Sequence, residues 1–313
     1  MKIAMHEVEG AHRLAFVEGD TLVDPALVPD VSALANDTTA FIAGGAAALE
    51  AARRMLDRAP EQARRPLADA RLRAPMRPST ILCSGSNYHA HNAEKANAPL
   101  SGKEPEFFLK TGDCVIGPQE PIIHDPKLTN KLDCETELAV VIGKPGRHIP
   151  VADALDHVFG YTIVNDVTAR DRQVRRNAEG FTWYELGRGK AFDASAPLGP
   201  VIVTADEILD PQALELRSRI NGELRQHAST ADMIWSCAEL IHEFSINFTL
   251  RPGFVILTGT PAGTAWSVDA ELGGRWQPAD GLVAATRYCL PGDTVECEIA
   301  GIGTLRNPVA AAL

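Results

Sequence analysis

The sequence predicts a mixed α/β, β-rich fold. Short β-type runs dominate from Thr80 onward, helical patterns fall between only some of them, and their spacing is too irregular for regular strand–helix alternation. A doubly wound parallel sheet is therefore disfavoured. The 313 residues, 45% of them hydrophobic, suffice for a sizeable core, in one large domain or one with a smaller companion.

Residues 1–30 alternate like short strands broken by Gly10, Gly19 and Asp20. Residues 46–65 are rich in Ala, Leu, Glu and Arg and read as a helix, after which Pro66, Pro75 and Pro78 punctuate the chain. This sets 1–76 apart as a small N-terminal α+β module with a linker, and 77–313 as the main domain. Within the latter, strands are expected at 81–83, 107–109, 138–142, 161–164, 201–203, 254–257 and 294–299, and helices at 151–158, 167–176 and 229–248. There is no internal repeat and no low-complexity tract.

No apolar run reaches the roughly 18 residues a bilayer span needs, and the first residues lack the apolar stretch of a secretory signal, so a cytoplasmic protein is expected. The six cysteines are scattered, without a Cys-x-x-Cys pair or zinc-ligand spacing, and read as small buried apolar residues. A formal charge of −11 argues against nucleic acid or an anionic membrane as partner. A small molecule is the expected ligand.

Asp133, Glu135 and Glu137 occupy alternate positions directly before the apolar run Leu138-Ala139-Val140-Val141-Ile142. In an extended chain they share one face, where like charges repel. Two readings fit: the solvated face of an edge strand, or a site for a hard divalent cation such as Mg²⁺ or Ca²⁺. The run that follows reads as a strand buried on both faces and favours the metal.

Asp166 ends another strand-like run, either as a helix N-cap or as a further acid, with Arg170 and Gln173 following along one side of the next turn. His91 and Glu94 stand three apart, on one face if helical; a carboxylate beside an imidazole fixes its tautomer and suits a general base, although a surface pair at this spacing is commonplace. Lys190 lies in the Gly-flanked stretch Gly187-Arg188-Gly189-Lys190, as a ligand contact or a solvated loop lysine. Thr258-Gly259-Thr260-Pro261-Ala262-Gly263 follows an apolar strand and offers backbone N–H groups to a carboxylate, or forms only a tight turn.

Together, in order, these segments resemble the fumarylacetoacetate hydrolase family. The matching pieces are Asn87-Tyr88-x-x-His91-x-x-Glu94, Leu132-Asp133-x-Glu135-x-Glu137-Leu138, Asn165-Asp166-Val167-Thr168-Ala169-Arg170-Asp171-x-Gln173, Lys190-x-Phe192-Asp193, the Thr258-to-Gly263 segment, and Gly301-Ile302-Gly303-Thr304-Leu305-x-Asn307-Pro308. The resemblance implies a β-sandwich-roll catalytic domain, a homodimer, and a divalent metal, Mg²⁺ foremost with Mn²⁺ or Ca²⁺ as alternatives. Glu135, Glu137 and Asp166 would be its ligands, with Asp133 in a supporting place.

The implied activity is metal-dependent hydrolysis of a carbon–carbon bond in acylpyruvates or other β-diketo acids, as in the degradation of aromatic compounds. His91, oriented by Glu94, would deprotonate the attacking water. Lys190 would stabilise the developing oxyanion, while Tyr88, Arg170, Gln173 and Thr260 would hold the substrate. Decarboxylation of oxaloacetate-like acids and isomerisation of hydroxy-dienedioates, both known in the family, are the alternatives, and a non-catalytic 2-oxo acid binder is the reading from another class.

The resemblance also implies a lid bearing His91 and Glu94, and Pro99, Gly102 and Pro105 within 96–105 suit a hinged loop. Between Gln173 and Lys190 the chain departs from the family's small members in carrying Arg175, Arg176, Phe181, Trp183, Tyr184 and Arg188. These fit a pocket for a larger or more acidic substrate, or a subunit contact.

Overall fold

The structure, a computed structural model, describes residues 1–29, 37–94, 103–275 and 277–313. Its centre is the strand Thr136–Ile142, every residue of which is buried. The apolar run seen in the sequence is continuous because each face meets a different core: Leu138, Val140 and Ile142 enter one, Ala139 and Val141 the other.

Around it runs a large mixed sheet. Its path is Arg64–Pro66, Thr21–Val23, Ala11–Glu18, Lys2–Val8, Ala196–Thr204, Val158–Asn165, Thr136–Ile142, Val255–Leu257, Ile81–Gly85 and Glu106–Lys110. The strands of residues 1–76 thus extend the sheet that carries the central strand, joined where Lys2 and Ile3 pair with Val203 and Ile202. One face is covered by the helices Thr38–Ala43 and Gly45–Leu56 through Phe41, Ile42, Met55 and Leu56. The other packs on the helix Cys237–Asn247 and on a five-stranded sheet that includes Glu215–Ile220, Thr294–Ile299 and Gly303–Ala311. This is the mixed, sheet-rich architecture the sequence predicts.

All seven expected strands are present, several longer than expected. The helices are shorter than their composition suggested. The first stops at Leu56, ahead of Pro60. That expected at 229–248 runs from Cys237 to Asn247 because Ser236 and Glu239 form a capping box that fixes its start. At 167–176 only one turn, Arg170–Gln173, is helical. Thr168–Ala169 pairs instead with Leu132–Asp133, and Val174–Arg176 with Thr182–Tyr184, so backbone pairing claims both flanks. The expected helix at 151–158 is a 3₁₀ run, Val151–His157. Of the hinged-loop reading, residues 96–102 lie outside the described residues.

Candidate metal centre and active site

Two neighbouring strands deliver the acids. Thr136 is paired with Asn165, so the residues just outside this register, Glu135 and Asp166, come side by side, and Asp166 N donates to Glu135 O at 2.9 Å. The Asn165 side chain closes the corner by accepting from Glu135 N at 2.9 Å. Glu137 sits one strand position further in, and its Oε2 accepts from Gly259 N at 2.8 Å. Ligand atoms of Glu135, Glu137 and Asp166 all lie within 4.8 Å of one another.

All three side chains are buried, which rules out the solvated edge-strand reading, and the next helical turn has Ala169 and not Asp166 at its N-cap. Asp133 is buried too but turned away. Residues 134 and 135 lie between two strands, so the strict alternation expected from the sequence breaks there. The Asp133 carboxylate accepts from Ala265 N (3.0 Å), Trp266 N (3.1 Å) and Arg170 Nε (2.8 Å).

The electrostatics fit a hard cation. Burial, with Asp166 and Glu135 alongside, pushes Glu137 well above the usual carboxylate range. Glu135 moves the other way: burial would raise it, but Arg170 and Lys190 hold it well below. Three oxygen donors without imidazole or thiolate suit Mg²⁺, Mn²⁺ or Ca²⁺, and a divalent charge among them would offset the repulsion that raises Glu137.

Cations already crowd the acids. Lys190 donates to Glu135 and, at 2.6 Å, to Asp166 Oδ2, and these two acids hold its ammonium charged despite burial. Its approach depends on Gly189, where a Cβ would lie 2.5 Å from the Gln173 Cβ and 2.6 Å from its Cα. Arg170 donates to Asp133, to Glu135 Oε1 (2.5 Å) and to Gln173 Oε1 (2.9 Å), with its guanidinium 5.0 Å from the Trp266 ring centroid. Asp133 therefore supports the triad through Arg170.

His91 and Glu94 are both buried, on and just after the short helix His89–Ala93, so the surface-pair reading fails. His91 Nδ1 lies 2.6 Å from Glu94 Oε2, and Glu94 Oε1 accepts from Gly263 N at 2.5 Å.

A cavity collects His91, Glu135, Glu137, Asp166, Arg170, Gln173, Lys190 and Thr260 on its wall. Glu94 stands behind His91. The Thr260 hydroxyl is committed within the protein, donating to Thr136 O (3.1 Å) and accepting from Gln226 Nε2 (2.8 Å). Tyr88, expected to contact substrate, does not line the cavity. Its backbone bridges Met233 and its ring joins the apolar core, while neighbouring Asn87 ties Trp235 and Thr258 together.

The sequence reading missed several wall residues, including Glu106, Phe108 and Trp266, whereas Tyr184, one of the residues set out as fitting a pocket, does line the wall. For Phe108 a signal existed, since it lies on the expected strand at 107–109; the observed strand, Glu106–Lys110, begins one residue earlier and puts Glu106 and Lys110 on the same face. Tyr184 comes from the departing stretch, which forms a hairpin whose tip carries Phe181 stacked on Trp183, ring centroids 6.2 Å apart.

Residues 80–310 match the family model for the fumarylacetoacetate (FAA) hydrolase C-terminal domain. Human mitochondrial oxaloacetate tautomerase FAHD2A is 39% identical over 277 residues, 88% of this chain and 80% of that protein. The oxaloacetate tautomerase YisK of Bacillus subtilis is 40% identical over 245 residues, 78% of this chain and 74% of that protein. Among solved structures, a fumarylacetoacetate hydrolase from Exiguobacterium antarcticum superposes with a TM-score of 0.77 at 35% identity over the whole of both chains. Maleylpyruvate hydrolase from Sphingobium sp. SYK-6, in complex with manganese(II) and pyruvate, gives 0.74 at 28% identity, again over the whole of both chains. No helix among the described residues is long and apolar enough to cross a membrane.

Proposed function

The chain belongs to the fumarylacetoacetate hydrolase family, and from that premise we propose that it interconverts the keto and enol forms of oxaloacetate or a closely similar 2-oxo diacid. The observation that carries the reading is the buried His91–Glu94 pair on the same cavity as the carboxylate triad and Lys190. Tautomerisation needs one proton moved between C3 and the 2-oxo oxygen and somewhere for the oxygen's charge to rest, and these residues supply both. Identity of about 40% to named oxaloacetate tautomerases directs the choice of substrate.

Glu135, Glu137 and Asp166 would hold the metal, for which Mg²⁺ or Mn²⁺ is proposed. Bound there, a divalent ion supplies Lewis acidity to the 2-oxo acid end of the substrate. The chain's residues do the rest. His91, with Nδ1 held by Glu94, uses Nε2 to carry the proton between C3 and the 2-oxo oxygen, taking it from one and delivering it to the other. Lys190 Nζ donates to the 2-oxo oxygen as its charge grows. Arg170, Gln173 and the Thr260 backbone orient the carboxylates, and Phe108 and Trp266 limit water at the wall.

A second reading, hydrolysis of acylpyruvate-type β-diketo acids, is favoured by the likeness to maleylpyruvate hydrolase. It uses the same dyad, with the His91 proton coming from water instead of carbon. One assay separates the two: decay of enol-oxaloacetate followed by ultraviolet absorbance beside a panel of acylpyruvates and fumarylpyruvate, each with Mn²⁺ and with EDTA. Metal-dependent acceleration of the first alone supports the tautomerase; cleavage of the panel compounds without it transfers the assignment to the hydrolase. A rate untouched by chelation removes the metal from either.

A further inference from the structure

We propose that Lys110 is the positioning residue shared by Asp166 and Lys190, fixing a metal-binding carboxylate and the ammonium beside it through one buried network; this rests on the reading of those two residues given above. Lys110 closes the strand Glu106–Lys110 and is 1% exposed. A buried ammonium is costly unless its charge is matched and its protons are bonded. Here both conditions are met, entirely by the segments that carry the site.

Its three protons have three acceptors: Ser195 O at 2.6 Å, Ser195 Oγ at 3.1 Å and Val167 O at 3.2 Å. Its charge is matched by Asp166 Oδ1, 2.8 Å away and in contact as an ion pair, not as an aligned hydrogen bond. Val167 follows Asp166 directly, and Val167 N donates to Ser195 O at 3.0 Å, so the backbone after Asp166 is tied to Ser195 twice. Ser195 Oγ in turn donates to Lys190 O at 2.8 Å. One ammonium therefore reaches Asp166 directly and the backbone of Lys190 through a single hydroxyl. Asp166 is left between two cations, Lys110 at Oδ1 and Lys190 at Oδ2. Lys110 is absent from the cavity wall, so it acts through these neighbours and touches no substrate.

The direction of the effect on metal binding separates this role from others. If Lys110 were only a nearby positive charge, its removal would relieve repulsion and tighten cation binding. If it were only a core residue, removal would lower the melting temperature and leave the affinity of the folded protein alone. A positioning role predicts weaker binding, because Asp166 loses the partner that fixes its carboxylate.

The test is Mn²⁺ titration of Lys110→Met by calorimetry, with folding checked by circular dichroism and melting temperature. The expected result is a dissociation constant raised about 10- to 100-fold, the usual range for residues that orient metal ligands. Ser195→Ala, which keeps the Asp166 ion pair but frees the Lys190 carbonyl, should leave the Mn²⁺ constant within about twofold and lower kcat about tenfold at similar KM. Native or tighter Mn²⁺ binding in the Lys110→Met variant overturns the proposal, as does native kcat in Ser195→Ala. If Lys110→Met and Lys110→Gln both fail to fold, the role is structural and the proposal is likewise overturned. The titration needs no substrate, so it stands even if oxaloacetate is not turned over.

Discussion

His91 Nδ1 lies 2.6 Å from Glu94 Oε2, and both side chains are buried. Held in this way the imidazole favours one tautomer, and under the proposed reading Nε2 would be the nitrogen that exchanges a proton with substrate. His91→Ala should lower kcat by about 10²- to 10⁴-fold, the usual worth of a positioned acid–base group. Mn²⁺ affinity should stay within about twofold, since neither residue belongs to the carboxylate triad. Steady-state kinetics beside a Mn²⁺ titration would check this, and near-native turnover would remove His91 from the chemistry.

Lys190 tests a different group on the same wall. Its ammonium sits between Glu135 and Asp166. Lys190→Met should cost about 10²- to 10³-fold in kcat, as loss of a donor to a developing oxyanion does. Mn²⁺ binding should be no weaker than in the parent protein, because a competing cation has gone. Weaker binding would mean that Lys190 holds the triad together.

Much of this site was legible in the sequence, for a local reason. Glu135 and Glu137 precede an apolar run too continuous for an edge strand, and Asp166 ends a similar run that proves to be its neighbour in the sheet. Lys110 was not legible. A lysine closing a short strand reads as solvated, and what makes it otherwise, Asp166 and Ser195, lies far along the chain. The segment 167–176 misled for the opposite reason, since its composition suits a helix while backbone pairing to 132–133 and 182–184 leaves room for one turn. Tyr88 shows the limit of motif matching: it lies in a matching motif, yet its ring faces the core.

Gly263 links the loop at 258–263 to the dyad. Its φ of +112° lies where other residues are strained, and an added Cβ would stand 1.9 Å from Arg225 O. Gly263→Ala should therefore destabilise the protein by about 1–3 kcal/mol. Because Gly263 N donates to Glu94 Oε1 at 2.5 Å, the displaced loop should also lower kcat. Chemical denaturation and kinetics on the same preparation would measure both; a loss of stability with unchanged kcat would show that Glu94 keeps its place without this donor.

The acid side of the stability profile should carry the signature of Asp293, at the entrance to the strand Thr294–Ile299. Its carboxylate accepts from both terminal nitrogens of Arg287 (2.5 and 2.7 Å), from Asn221 Nδ2 (2.8 Å) and from Leu290 N (2.8 Å). Arg287 first, then Asn221 and the backbone, hold it below its ordinary value of 3.8 against the opposing effect of burial. A depressed carboxyl stabilises the native state above its unfolded pKa, and that contribution is lost as pH falls through the folded value. Asp293→Asn should therefore cost stability at pH 7, with the difference from the parent shrinking as pH drops below about 4. Hydrogen bonds to a charged group are worth roughly 1.5–3 kcal/mol, and half-exposure of Arg287 reduces this to about 1–2. Urea denaturation of both proteins from pH 3 to pH 7 would check it: a constant offset across that range would mean that the asparagine disturbs packing and that the Asp293 charge contributes nothing.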